Sequence, residues 1–290
     1  MIYFFQVIIL GLCLGFVYAL MATGLTLIFG VMRIVNLAHP IFILCGAFVA
    51  YWLFKVWGLD PLLALPVSAL FVGLLGVIIY KLVFERDAGS QRYSEMTVLL
   101  TFGTAMIIDG ALSFLFKNTQ RVTSPPYATD AIFFGDLFLP TAQLYSGLVS
   151  MGLIIALSLF LKFTTLGVAI RATSLNRTNA ELVGINVKFV CLFSFAVGCA
   201  LAGCAGSLVS FVFSFFPAKH WEWIAILMSL VVLGGMGSIL GAVVAAIILS
   251  ILASLVGAFI APSWSTMVFF LALFLILLIR PHGMFGKYLS

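Results

Sequence analysis

Long apolar runs, bounded by charges or prolines, dominate this chain. They cover residues 2–32, 34–54, 61–80, 96–116 (with Asp109 inside it), 141–161, 189–216, 223–261 and 263–279. A helix needs about 20 residues to cross ~30 Å of hydrocarbon, and five or six of the runs fit one crossing each. The constraint is severe. A backbone in hydrocarbon has no water to bond, so each crossing must satisfy its own N–H and C=O groups as a helix. Of the 290 residues 64% are hydrophobic and 8% are charged. That is too little charge to cover a water-soluble globule and too much apolar residue for disorder. The expected fold class is an all-α polytopic membrane protein of about eight to ten transmembrane helices, forming one membrane domain over residues 1–290.

Two runs do not fit a plain crossing. Residues 2–32 are too long and contain Gly24 and Gly30. Residues 223–261 are longer still and hold Gly234, Gly235, Gly237 and Gly241 within GGMGSILG. The second run reads as a short helix, a break and a full helix. Interruptions near opposite ends of the chain give it inverted-repeat character. Such paired broken segments mark a central pathway in transporters, which makes Gly234, Gly235 and Gly237 pathway candidates. The alternative is a kinked helix without a transport role.

Basic residues orient the helices rather than bind nucleic acid. With the N-terminus outside and 223–261 crossing twice, ten Lys and Arg fall inside (Arg33, the 81–95 and 162–188 loops, the C-terminal tail) and four outside (Lys55, Lys117, Arg121, Lys219). The outer segment 117–140, with Pro125, Pro126, Gly135, Asp136 and Pro140, reads as an irregular loop or short hairpin over the outer mouth. Small residues recur every four positions as Gly11, Gly15, Ala19 and Thr23, and again as Gly198, Ala202, Gly206 and Ser210. Each stripe lets a neighbouring backbone approach closely. The five cysteines all lie in apolar stretches without a CxxC and read as small buried hydrophobes. No basic residue precedes Arg33, so no cleavable signal is expected and the first helix should stay in the mature protein.

The inner segment 162–188, KFTTLGVAIRATSLNRTNAELVGINVK, is the longest polar stretch on that side. Asn176 to Leu182 is compatible with a helix, and Gly184 suits its C-terminal stop. Ala169, Ala172 and Ala180 leave a surface that suits a groove. The segment reads either as a docking element for a partner or as a solvated loop.

Four blocks carry a specific resemblance. GLTLIFGVMRIVNLAHP at 24–40 resembles the N-terminal signature of the high-affinity branched-chain amino acid ABC permeases, the LivH type. GVAIRATSLNRTNAELVGIN at 167–186 resembles their cytoplasmic coupling segment. VLGGMGSILGAVVAA at 232–246 and RPHGMFG at 280–286 match in the same order. The resemblance implies a multi-pass permease of the bacterial inner membrane. Its implied partners are a second homologous permease, two cytosolic ATPases and a periplasmic binding protein, with lipid around it and no nucleic acid. It implies no cofactor of its own, since ATP is bound by the partner subunits, and no metal. Arg171, Ala172, Asn176, Ala180, Glu181 and Gly184 are the coupling residues it implies. Branched-chain amino acids are the default substrate, with urea, short amides and small aromatic acids used by relatives. The chain departs from the family where relatives commonly read N-F-A-H-G-E. Here Pro40 stiffens the backbone and removes an N–H, and Ile41 removes a charge. Asp109 stands where relatives often carry an amide.

Asn36, His39 and Asp109 complete the pathway candidates, because polar groups at membrane depth are costly and usually face an interior. For Asn36 and His39 the alternative is that they satisfy backbone freed at a helix break. For Asp109 the readings are a proton or substrate site, or a bundle hydrogen bond or outer-vestibule contact. Glu85, Arg86, Asp87, Arg92 and Glu95 read as a solvated inner loop with local ion pairs. His220 and Glu222, beside Trp221 and Trp223, read as an outer-interface belt. The chain carries no GxxxxGK[ST], HExxH, GxSxG or DxDxG, so a non-catalytic subunit that borrows its energy is expected. The rival readings are a proton-coupled secondary transporter using Asp109, a membrane enzyme and a structural scaffold. A membrane enzyme lacks a clustered nucleophile, base or metal set. A scaffold would bear broken helices at a cost without a use.

Overall fold

The computed structural model describes residues 2–85, 93–135, 137–280 and 283–285. Its helices are α1 (Ile2–Met32), α2 (His39–Trp57), α3 (Leu65–Ile79), α4 (Tyr93–Phe116), α5 (Thr141–Phe163), α6 (Thr165–Leu175), α7 (Arg177–Leu182), α8 (Val187–Val212), α9 (His220–Gly234), α10 (Ile239–Phe259) and α11 (Ser265–Ile279). Among the described residues eight helices are long and apolar enough to cross a membrane: α1, α2, α3 with its π-helical extension to Phe84, α4, α5, α8, α10, and α11 with the turn before it. The outer segment is the short hairpin, β1 (Ala131–Phe134) against β2 (Leu137–Pro140), antiparallel with Ala131 opposite Pro140. Arg86, Asp87, Arg92 and the Glu95 side chain, expected in a charged inner loop, lie outside the described residues.

Polar residues at the helix ends mark where the apolar runs turn. Thr164, Asn176, Asn186 and Ser238 each accept a backbone N–H in the first turn of α6, α7, α8 and α10, satisfying donors that a helix leaves unbonded. Pro40 sits in the first turn of α2, where a missing N–H costs nothing. Ile41 beside it is fully buried.

The bundle is built around α8, which packs on α1, α2 and α3, while α1 also runs along α10 and α5. These contacts are backbone against backbone. A Cβ added at Gly46 of α2 would lie 2.7 Å from the Gly203 Cα of α8, and one at Gly206 would lie 2.6 Å from the Ala47 nitrogen. One at Gly11 would lie 2.8 Å from the Ile251 Cα of α10. Lipid tails are as apolar as Leu, so close van der Waals packing holds membrane helices together. Both small-residue stripes serve this end. All five cysteines are free thiols, Cys13 partly buried and the others buried.

Two expectations are corrected. The run 2–32 is one unbroken helix. A Cβ at Gly24 would meet the Gly198 oxygen at 2.7 Å and the His39 ring at 2.9 Å, and one at Gly30 would lie 3.5 Å from Gly237. These glycines therefore serve close approach, and the chain reverses only at 33–38, where Arg33 takes φ 55°. The second correction concerns His220 and Glu222 beside Trp221 and Trp223, together with Lys219, expected as an outer charge. They do not form an outer belt. The chain dips inward after α8, so that α9 begins level with the middle of α4: the Trp221 and Phe102 rings lie 5.8 Å apart. The 15-residue α9 spans about 22 Å, less than a crossing. The expected break follows at 235–238, and α10 then makes the full span.

Candidate translocation site and coupling surface

At the inner end four parts of the chain meet. The last turn of α1 leaves carbonyls without helical partners. Arg177, opening α7, donates to the Val31 oxygen from Nε at 3.1 Å and from Nη2 at 2.8 Å. Arg33 reaches back the other way, its Nη2 3.4 Å from the Leu175 oxygen. The two arginines tie α1 to the α6–α7 joint. Gly30 abuts Gly237 in the α9–α10 break. Residues 283–285 lie against that break. The Met284 N–H donates to the Leu233 oxygen at 2.8 Å, and Gly283, at φ 75°, lies so close to Gly235 that a Cβ would approach its nitrogen to 2.6 Å. Parts of the blocks at 24–40, 167–186 and 232–246 thus meet in space with residues 283–285 of the last block.

The coupling candidates divide by exposure. Arg171, Asn176, Glu181 and Gly184 are exposed, and Ala172 is partly buried. Asn176 caps α7 by accepting the Asn179 N–H at 3.0 Å. Gly184 takes φ 86° and donates to the Glu181 oxygen at 3.0 Å. Ala180 is 3% exposed and faces the bundle, so it seats α7 on the permease rather than presenting a surface. What α7 does present is Leu182 and Val183, 80% and 77% exposed, an apolar knuckle at the tip of a polar segment.

Asn36 and His39 lie in the reversal between α1 and α2, both fully buried. The Asn36 side-chain oxygen accepts the Ala38 N–H at 3.0 Å, and His39 Nε2 donates to the Met21 oxygen at 3.1 Å. Asn36 thus meets backbone within the reversal, whereas His39 reaches a carbonyl in the middle of the continuous α1. The same turn touches α4, where Thr101 Oγ1 accepts the Leu37 N–H at 3.3 Å. Asp109 is two turns farther along α4, about 12 Å away, and belongs to a different place.

That place is the start of α9. His220 Nδ1 donates to the Pro217 oxygen at 2.9 Å and lies 3.8 Å from Asp109 Oδ1, an electrostatic contact longer than a hydrogen bond. Lys219 Nζ and Glu222 Oε2 pair at 2.5 Å. Asp109 is seven residues before Phe116, about 10 Å along α4 from its outer end. The outer segment is tied to the outer ends of α4 and α8. Arg121 and Phe215 exchange backbone hydrogen bonds at 2.9 Å, and the Arg121 guanidinium caps the Phe116 oxygen of α4 at 2.5 Å. Tyr127 donates to Asp60 Oδ1 at 2.8 Å, fastening the loop to the α2–α3 turn. Burial, and then this bond to a carboxylate, push the Tyr127 hydroxyl above its ordinary value.

Sequence reasoning passed over Arg177, Gly283 and the Lys219–Glu222 pair. In the sequence Arg177 reads as one of the inner positive charges. The signal that marks it is its place one residue after an N-cap Asn, where its side chain can reach a neighbouring helix end.

Comparison with known proteins agrees with this architecture. The family described as branched-chain amino acid transport system / permease component matches residues 7–278. The high-affinity branched-chain amino acid transport system permease protein LivH of Salmonella typhimurium is 27% identical over 305 residues, covering 99% of this chain and 96% of the relative. A probable LivH of Methanocaldococcus jannaschii is 29% identical over 92% of this chain and 88% of its own. LivM of Escherichia coli is 26% identical over 78% of this chain and 58% of its own. Among solved structures, PsaBC from Streptococcus pneumoniae in complex with Fab shares the fold at a TM-score of 0.52 and 16% identity, over 95% of this chain and 92% of that one. The apolar helices and these matches make the protein a multi-pass protein of the bacterial inner membrane. The chain belongs to the family of branched-chain amino acid transport permease components.

Proposed function

We propose that the chain is one of two homologous permease subunits of an ABC importer. In this reading it carries branched-chain amino acids, or a related small solute such as urea, an amide or an aromatic acid. A periplasmic binding protein delivers the solute and two cytosolic ATPases supply the energy. The observation that carries the reading is the arginine tie between the exposed α6–α7 segment and the inner end of α1. ATP-driven closure of the ATPases moves a body seated on Leu182 and Val183. Arg177 then pulls on Val31 and Arg33 on Leu175, and the displacement reaches the α9–α10 break through Gly30 and Gly237. Since the break joins a half-span to a full span, a shift there changes which end of the bundle is open. Alternating access requires two such states with different ligand contacts.

The chain itself acts as a non-catalytic subunit, and ATP is bound by its partners. A proton-driven rival would run through Asp109. The contact with His220 supports a bundle or vestibule role for that carboxylate instead. The test is a pull-down of tagged protein from mild detergent with mass spectrometry of what accompanies it. Two ATPases and a second permease are the expected companions. A homo-oligomer without an ATPase, taking up solute on a proton gradient, overturns the reading.

A further inference from the structure

Between the outer parts of α2, α3 and α4 the bundle leaves a groove of about 550 Å³, within the ~300–1,000 Å³ of ordinary ligand pockets. Phe48, Val49 and Trp52 of α2 form its floor, Leu75 of α3 one wall, and Ile108 and Leu112 of α4 the other. Every side chain lining it is aliphatic or aromatic except the Cys45 thiol at the inner end. At the outer end α4 leans on α2 through Phe116, whose ring stacks on Phe48 at 4.5 Å and lies 5.9 Å from Trp52. Along α2 the lining runs from Cys45 to Trp57, about 18 Å of rise, and along α4 from Ile107 to Phe116, about 14 Å. That is the depth of one leaflet, half of ~30 Å of hydrocarbon. The mean cross-section is then roughly 30–40 Å², less than half that of a helix 10–12 Å across. The groove fits an extended hydrocarbon chain and is too narrow for a partner's helix.

The mouth of the groove is basic. Lys55 Nζ lies 5.1 Å from the Trp52 ring centroid and 5.8 Å from that of Tyr51. Arg121 Cζ lies 5.4 Å from the Tyr51 and Phe116 rings, and Lys117 follows Phe116 in the chain. Three of the four outer basic residues thus gather here, while Lys219 dips inward to Glu222. Neither Lys55 nor Lys117 pairs with a carboxylate among the described residues. Asp60, the acid nearest Lys55 in sequence, is held by Tyr127 and by the Leu62 N–H. Trp57, 75% exposed, sets the mouth at headgroup level, where Trp collects. We propose that the groove binds one outer-leaflet phospholipid with a headgroup of net negative charge. One acyl chain fills the groove between α3 and α4. Lys55 and Lys117 hold the headgroup phosphate, their stems lying along the aromatic rim. The acyl chain supplies van der Waals packing on the side of α4 that faces the groove. The site rests on the membrane orientation of the chain and does not depend on the transport reading.

The full-length protein in nanodiscs of equal phosphatidylglycerol and phosphatidylcholine provides the test. Native mass spectrometry reads the lipid that the released protein keeps. One phosphatidylglycerol is expected, preferred over phosphatidylcholine by roughly thirtyfold, about fivefold for each lysine. Lys55→Gln and Lys117→Gln should each lower that preference about fivefold. Ala111→Trp places an indole in the groove from an exposed position on its wall and should abolish retention of either lipid. Equal retention of the two lipids by wild type overturns the proposal. So does full retention in Ala111→Trp, and so does an unchanged preference in both lysine variants. Should the variants fail to fold, phosphatidylglycerol carrying a diazirine in one acyl chain is photolysed with the wild-type protein. Adducts concentrated within 45–57, 71–75 and 107–116 support the site. Adducts spread evenly over the lipid-facing helices, or absent from these segments, overturn it.

Discussion

Arg177 makes two hydrogen bonds to one carbonyl that α1 cannot satisfy itself. A guanidinium fork presents several donors in a fixed plane, whereas a Lys ammonium offers a single point of charge. Arg177→Ala should therefore cost about 1.5–3 kcal/mol locally and lower the ratio of solute moved to ATP hydrolysed, with Arg177→Lys in between. Thermal melting and an uptake-to-hydrolysis ratio check this together. An unchanged ratio in Arg177→Ala would remove the residue from the linkage. Steric arguments at single glycines are as direct. At Gly24 an added methyl meets the Gly198 oxygen and the His39 ring, and Gly24→Ala should cost about 1–3 kcal/mol. Gly103 has nothing within 4 Å of a new Cβ, so Gly103→Ala should leave melting of the isolated chain unchanged or slightly raised. A fluorescence melt in detergent compares the two.

Among the elements, the α6–α7 segment is attached to the bundle by one face and open on the other. Gly184 has φ 86° and open space around it, so Gly184→Trp strains one turn by about 1–2 kcal/mol and leaves the spans alone. Co-purification with the ATPases should fall while melting of the isolated permease changes little. Undiminished co-purification would count against α7 as the docking element. This segment was legible in the sequence because capping is local: Asn176 and Gly184 declare their helix ends by residue type. The eight spans were legible for a similar reason, since an apolar run of the right length has few other fates in a bilayer. The state of Gly24 and Gly30 was not. A glycine that breaks a helix and one that admits a neighbour look alike until the neighbour is known, and here it is Gly198 or Gly237, far away in sequence. The depth of Lys219 and Glu222 was hidden too. Trp221 and Trp223 beside them imitate an interface belt, and only the packing of α9 on α4 shows that the chain has already turned inward.

At the scale of the whole molecule, α4 is anchored on few sides. It touches α2 and the turn at 217–219, while Ile107 and Phe114 are 75% and 87% exposed. Gly103, Ile107, Gly110 and Phe114 share one helical face, and neither glycine has a neighbour within 4 Å of a new Cβ. That face lies beside the one carrying Phe102 and Asp109, so whatever covers it also encloses the polar corner at α9. Lipid would leave the half-exposed Lys219 and Glu222 against hydrocarbon, a cost of about 2.5–3.5 kcal/mol per charge, whereas a second permease can close an aqueous space over them. Gly110→Trp separates the two cases. In the isolated chain the indole enters open space, and melting should be unchanged. In the assembled transporter it should block the close approach of a partner helix, so that the second permease no longer co-purifies. Leu278→Trp, at a side chain 71% exposed on α11, serves as the lipid-facing comparison and should leave assembly intact. Full assembly with Gly110→Trp would assign this face of α4 to lipid and require the polar corner to be closed from elsewhere in the complex.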